Sequence, residues 1–486
     1  MFKSDCFLLL TIQKRLTVCC TLLCLFPVTV SKSFSQDQIA RRYDPFPRMI
    51  AEFEPQRAIL LSVSDLQSHH SHVLKQIVDA SQNHAQILIL YNNDQQLKKT
   101  VELFTNDRPE NLSHVLFYKL DLDTIWLRDF GPRISQDING SRALDFYYYG
   151  VRPFDDSFPE RWALKTGSTM TKIPWTIQGG NLICNGQGTG ITTTKIFEDN
   201  KVTLPGRSIA EGQHFLVNDM KKFCNLRELI VLKPLRNETT KHVDMFATFL
   251  SYNHILVARV DPSQDNLNAK ILDENSRKLA NVYVNGKPLQ VSRIDIPHRE
   301  GKAWSTYTNA IITDRLILVP TMTSDPVHLK QNAVKTYREL LPNHHVATID
   351  ISSMKKLQGS LHCMTLNLPA IAPLPADTIT FSQAIERSSR IVANSNVQKS
   401  NVSQRYTIDK QLRRVFKSST SDYLVDAYAV ALASDVVSLL RASDRKLIRI
   451  RTSAVCEADR YWLQRNTNKI RENGARVQQY VLSLGN

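Results

Sequence analysis

From residue 56 to 130, short runs of aliphatic and β-branched residues (58–63, 85–91 and 115–120) alternate with longer stretches of helical period such as 71–82. Short apolar runs between turn residues read as strands, and apolar positions recurring every three to four residues read as helices. The chain therefore predicts an α/β architecture. Further strand-like runs lie at 144–148, 190–195, 229–232, 245–250, 254–260, 310–319 and 345–351, many separated by Asn, Asp, Pro or Gly. No repeat is legible among the residues themselves. After Pro369, Pro373 and Pro375 glycine becomes scarce, and helical period dominates 406–484. This places a boundary near 373, between a body at 36–372 and a mainly helical extension at 373–486. Within the extension, 423–440 is the most apolar stretch, but Asp426 and Asp435 interrupt it. It reads as a helix burying one stripe against protein, not as a membrane span.

The N-terminus changes the picture of the cysteines. Residues 16–30 form an apolar stretch preceded by Lys14 and Arg15 and followed by Ser33-Phe34-Ser35, the pattern of a cleaved export signal over 1–35. The reading is a secreted or periplasmic protein, with an uncleaved anchor as the alternative. Removal of this segment takes four of the eight cysteines and leaves Cys184, Cys224, Cys363 and Cys456, too few for a disulfide scaffold. With 42% apolar and 22% charged residues, the chain is neither disordered nor fibrous. Its net charge of +15 is uneven: 373–486 carries 18 basic against ten acidic residues. Such a surface could meet a polyanion, without specific nucleic-acid recognition, or be an ordinary solvated face.

Four fragments could carry chemistry. Trp126-Leu127-Arg128-Asp129-Phe130-Gly131-Pro132 ends a strand-like run at a turn, where Asp129 is either a site residue or the ion-pair partner of Arg128. Gln178-Gly179-Gly180-Asn181 holds a glycine pair that permits close backbone approach. In Lys241-His242-Val243-Asp244, an extended backbone would put His242 and Asp244 on one face, as a base and carboxylate sharing a cavity or as a surface pair. In Ser360-Leu361-His362-Cys363, Cys363 is a nucleophile or an inert buried thiol, and His362, next to it on a strand, would point the other way. None of these spacings matches a zinc motif or an oxygen-rich calcium loop.

Together with Thr308-Asn309-Ala310, these fragments resemble, in order, the bacterial peptidylarginine deiminases and agmatine deiminases, over about residues 50–372. Within that superfamily, 145–153, from Asp145 through Arg152 to Pro153, is similar to the Porphyromonas-type enzymes. The resemblance implies the pentein fold, a five-bladed α/β propeller of ββαβ units, and hydrolysis of a guanidine without a cofactor. It implies that Asp129 and Asp244 clamp the guanidinium, that Cys363 attacks its carbon and that His242 moves the protons. Asn309, Arg152, Trp126 and Gly180 would contact the substrate, an arginyl peptide or protein, or alternatively agmatine. Three departures stand out: Gly150 in place of one of two carboxylate-gripping arginines, Asn185 for a usual Asp, and Gln178 for a Glu common in agmatine deiminases. Two other readings remain: a Cys-His peptidase, and an exported polyanion-binding protein on a decayed pentein scaffold.

Overall fold

The computed structural model describes residues 47–470, except 65, 107–111, 138–139, 149–151, 202–207, 300–303, 358, 399–409, 421–423, 434–435 and 443–446. The expected export signal at 1–35 and Gly150 lie outside the described residues.

The body is built on one motif used five times: an antiparallel pair of strands, a crossover helix, and a third strand parallel to the second. Thr365–Pro369 pairs antiparallel with Gln56–Ser62, helix Ser71–Ser81 crosses over, and Ile87–Tyr91 returns parallel. Arg133–Asp137 and Gly140–Tyr147 are followed by helix Phe158–Thr166 and strand Thr169–Thr176. Ile183–Cys184 and Thr189–Thr193 are followed by helix Ile209–Phe223 and strand Glu228–Leu232. Ala247–Ser251 and His254–Arg259 lead through helix Asn266–Ala280 to Gln290–Asp295. Ile311–Ile312 and Leu316–Thr321 lead through Val327–Leu340 to His345–Asp350. The run at 310–319 is thus a tight hairpin, not one strand. The repeat escapes the sequence because only burial recurs, not residue identity.

Burial explains why these strands read as continuous apolar runs. All five residues of Ile87–Tyr91 are buried. Ile87 and Ile89 join Val73, Leu74 and Ile77 of the crossover helix, whereas Leu88 and Leu90 face Tyr118 and Trp162. A parallel strand covered on both faces has no polar side to alternate with.

Past 373 the chain first completes the body. Ile379–Thr380 pairs antiparallel with Val115–Lys119, and Phe381 packs against Phe104 and Phe117. It then forms a four-stranded antiparallel sheet, Arg413–Lys417, Leu424–Ala433, Val436–Arg441 and Leu447–Arg451, followed by helix Glu457–Arg465. This corrects the helical period expected over 406–484, where strand residues outnumber helical ones among the described residues, whereas Phe381–Gln398 is a helix of 18 residues. The stretch at 423–440 is two strands rather than a helix. Ala427, Ala429, Val437 and Leu439 enter one core with Phe416, while Tyr428, Val430 and Leu440 cluster apart from them. That alternation is a period of two, and Asp435 lies outside the described residues. Several arginines of this sheet sit in ion pairs, including Arg413 with Asp426 and Arg414 with Asp459. Among the described residues, no helix is long and apolar enough to cross a membrane.

Candidate active site

Each unit enters its first strand through a short turn, and the five turns carry the five fragments singled out above: the helical turns Leu127–Phe130, Gly179–Asn181, Val243–Met245 and His362–Met364, and the bend at 306–309. Asp129, Asp244 and Cys363 therefore sit in tight turns just before strands, not at strand ends or within strands, while His242 enters its turn on extended backbone and meets Asp244 at Gly180. A tight turn fans successive side chains apart, so neighbours serve different partners. Arg128 points away from Asp129 into the core, where it hydrogen-bonds Glu52 Oε1 and Asn367 Oδ1. It is fully buried, which removes Asp129's neighbour as its ion-pair partner.

Gly180 marks the centre. A Cβ there would lie 2.7 Å from His242 Nδ1, 2.9 Å from Asp244 Oδ2 and 3.3 Å from Asp129 Oδ1. Only hydrogen fits between these three groups. His242 Nδ1 and Asp129 Oδ1 stand 3.6 Å apart, beyond a hydrogen bond. These two atoms and Asp244 Oδ1 are buried with no hydrogen-bond partner among the described residues. Three side chains that meet at Gly180 thus each keep one buried, unpartnered polar atom, a receptor for a donor-rich ligand.

The supports are specific. Gln178 Oε1 meets His242 Nε2; because a carbonyl oxygen only accepts, Nε2 carries the proton and the Nδ1 lone pair faces Asp129. Asn181 Oδ1 accepts from Thr193 N, Thr193 Oγ1 and Val243 N, fixing the His242 turn. Asn309, expected at the substrate, is fully buried and directs its side chain at the protein. Its Oδ1 accepts from His362 N at 3.0 Å, and its Nδ2 lies 3.4 Å from Asp244 O and 3.6 Å from Cys363 Sγ. Trp126 packs against Gly359, whose absent Cβ would overlap the indole at 2.3 Å. Arg152 donates to Tyr148 Oη at 3.1 Å. Asn185 caps a turn through Gln187 N and Thr189 N, a role an Asp would share.

Sequence reasoning missed Glu52 and the role of His362. His362 Nδ1 lies 2.8 Å from Asp244 Oδ2, and its Nε2 lies 2.7 Å from Glu52 Oε2. Two carboxylates on one imidazole require both nitrogens to donate, which makes His362 an imidazolium. Burial opposes that charge, as does Arg128, but Glu52 and the two hydrogen bonds hold its pKa above the ordinary value. Burial also works against the Glu52 carboxylate, yet Arg128 and His362 keep it well below the usual range. The Glu52 signal was absent because nothing near it in sequence announces a partner 310 residues away.

The remaining groups titrate unusually. Burial, then the nearby Asp244, pushes Asp129 up to about 8. Burial pulls His242 down to about 4. Burial, with Asp244 and Asp129 beside it, raises the Cys363 thiol well above its usual value. The resting site therefore pairs a neutral thiol with a neutral imidazole. Among the described residues, no group of three or more His, Cys, Asp or Glu side chains could hold a metal ion.

The sequence model of the Porphyromonas-type peptidyl-arginine deiminase family matches residues 48–369. The chain belongs to this family. The family's enzymes are hydrolases acting on amidine C–N bonds, and this chain is one of these guanidine-group deiminases. A Mycoplasma mycoides protein named "Putative agmatine deiminase" is 23% identical over 314 residues, 56% of this chain and 83% of its own. A Porphyromonas gingivalis structure titled as a "Putative Arginine Deiminase" superposes with TM-score 0.57 at 22% identity, covering 68% of this chain and 100% of its own. The C. jejuni agmatine deiminase gives TM-score 0.54 at 20% identity over 66% of this chain and 96% of its own. At such identity the superpositions establish the fold, an α/β fold related to the pentein structures.

Proposed function

We propose that this deiminase hydrolyses the guanidine of arginyl peptides or proteins to a ureido group and ammonia. The carrying observation is that His242 Nδ1, Asp244 Oδ2 and Asp129 Oδ1 meet around Gly180, that Asp129 Oδ1, His242 Nδ1 and Asp244 Oδ1 are buried without a hydrogen-bond partner among the described residues, and that Asn309 Nδ2 lies 3.4 Å from Asp244 O and 3.6 Å from Cys363 Sγ. A guanidinium is planar, permanently charged and rich in donors, and two carboxylates can hold it by opposite edges while one face of its carbon stays open. The five ββαβ units fit a closed five-bladed arrangement with this site at its centre.

In this reading the bound cation compensates Asp129 and Asp244 and favours ionisation of the thiol they oppose. Cys363 Sγ passes its proton to His242 Nδ1 as sulfur bonds the guanidine carbon. The imidazolium then protonates the departing nitrogen, ammonia leaves, and an S-alkylthiouronium remains. His242 next takes a proton from water as the oxygen attacks the same carbon. The C–S bond breaks, the thiol is re-formed, and the ureido product departs. Asp244, held by His362, and Asp129 orient the cation throughout.

Two observations favour arginyl substrates over agmatine. Arg152 donates to Tyr148 Oη and its charge acts on Asp129; in this reading it would attract the carboxylate of an arginine and oppose the ammonium of agmatine. The leader-like 1–35 segment supports a substrate met outside the cytoplasm. Mass spectrometry after incubation tests the proposal. Arginyl peptides should gain the mass difference between NH and O with release of ammonia, and Cys363→Ala should produce neither. Turnover of agmatine alone would reverse the substrate assignment, and turnover of no guanidine would overturn the reaction.

A further inference from the structure

The family match ends at residue 369, yet the C-terminal sheet reaches back to the segment that carries Arg152. Its last strand, Leu447–Arg451, lies against the short helix Pro153–Asp156. Arg451 Nη2 stands 2.5 Å from Asp156 Oδ2, and the Asp156 side chain is only 5% exposed. The Arg449 guanidinium lies 4.9 Å from the centre of the Phe154 ring. The second oxygen of Asp156, Oδ1, accepts from Tyr148 N at 2.8 Å, and Tyr148 Oη accepts from Arg152.

On its other side the same helix is tied to the turn leading into Asp129. Asp123 Oδ2 accepts from Phe154 N at 2.8 Å and from Asp155 N at 3.3 Å. In return, Asp155 accepts from Asp123 N, Thr124 N and Thr124 Oγ1. The Tyr148 ring packs on Phe130 with centroids 5.5 Å apart. One short helix is thus held between the C-terminal strand and the active-site turn.

We propose that the C-terminal sheet is a working part of the substrate site: Arg449 and Arg451 are positioning residues that clamp Phe154 and Asp156, fixing Tyr148 and Arg152 to receive a carboxylate at the far end of the guanidine substrate. This rests on the deiminase reading above. A planar guanidinium presents a fork to a carboxylate, but the fork works only when its plane is fixed. Asp156 is nearly buried and its Arg451 partner is 24% exposed, so the pair is screened less than a fully exposed one and can impose that order.

The test uses the full chain with Arg449→Ala, Arg451→Ala and the conservative Arg451→Lys. Three substrates are compared: an arginyl peptide with a free C-terminal carboxylate, the same peptide as its amide, and agmatine. Hydrogen exchange at the Tyr148 amide reports the clamp independently of turnover. Arg449→Ala and Arg451→Ala should raise KM for the free acid about tenfold with kcat within about twofold, and leave the amide and agmatine within about twofold. Exchange at Tyr148 should quicken in Arg451→Ala by about tenfold or more, and Arg451→Lys should restore most of both effects. Unchanged exchange, or a KM rise shared by all three substrates, would overturn the clamp. Failure of the wild type to turn over any guanidine would instead overturn the deiminase reading, while the exchange rates still decide the clamp.

Discussion

At the scale of single residues, the site divides its charges between two acids with different keepers. Asp244 is held by His362, which Glu52 holds in turn while itself paired with Arg128, whereas Asp129 has no direct hydrogen-bond partner on Oδ1 and is pushed up to about 8. Asp129 must be ionised to grip a cation, so kcat/KM should rise with pH to a limb near 8. In the bound state of the proposed reaction the substrate keeps Asp129 ionised, and the acid limb of kcat reports His242, which burial holds below its ordinary value. Gln178→Glu places a carboxylate on His242 Nε2–H and should raise that limb by roughly 1–3 pH units while leaving the limb near 8 in place. Rate profiles at low and saturating substrate check both. Glu52→Gln strips the fully buried Arg128 of its partner and should cost roughly 3–5 kcal/mol at neutral pH by denaturant melts. The sign follows from the two shifts. Glu52's contribution is present above its ordinary 4.5 and is lost as pH falls through its depressed folded value. His362's is present below its ordinary 6.5 and is lost as pH rises through its raised one. The deficit should therefore shrink in both acid and alkali.

At the scale of elements, function rests on turns that precede strands. Gly180 shows the tolerance: a methyl group there would meet His242 Nδ1 at 2.7 Å and Asp244 Oδ2 at 2.9 Å. Gly180→Ala should lower kcat/KM by at least about 100-fold with an unchanged circular dichroism spectrum, because it displaces reacting groups without opening a core. The strands themselves were legible: 58–63, 85–91 and 115–120 were expected, and Gln56–Ser62, Ile87–Tyr91 and Val115–Lys119 are found. The turns were not. Asp129 reads as the end of a strand and Cys363 as a strand residue, but both lie in short helical turns, and Asp244 shares the site with His242, as expected, from a turn rather than from a strand. His362 points away from the adjacent thiol, as expected, but its partners Asp244 and Glu52 leave no trace near it in sequence. The hairpin at 424–441 was misread for the converse reason: its apolar content was weighed without its alternation.

At the scale of the molecule, five units with no visible sequence repeat each deliver one turn to a common site, which is why residues from 129 to 363 meet there. Long-range partners such as Glu52 with His362, or Arg451 with Asp156, leave no local trace in sequence, so the fragments announced the site while its supports stayed hidden. Every step of the account passes through sulfur on the guanidine carbon. The most direct measurement is therefore the intact mass of the protein quenched during turnover of an arginyl peptide. The account predicts an adduct of substrate less ammonia, mapped to Cys363 and absent from Cys363→Ala. Continued ammonia release by Cys363→Ala, or an adduct mapped to Cys184, Cys224 or Cys456, would contradict it.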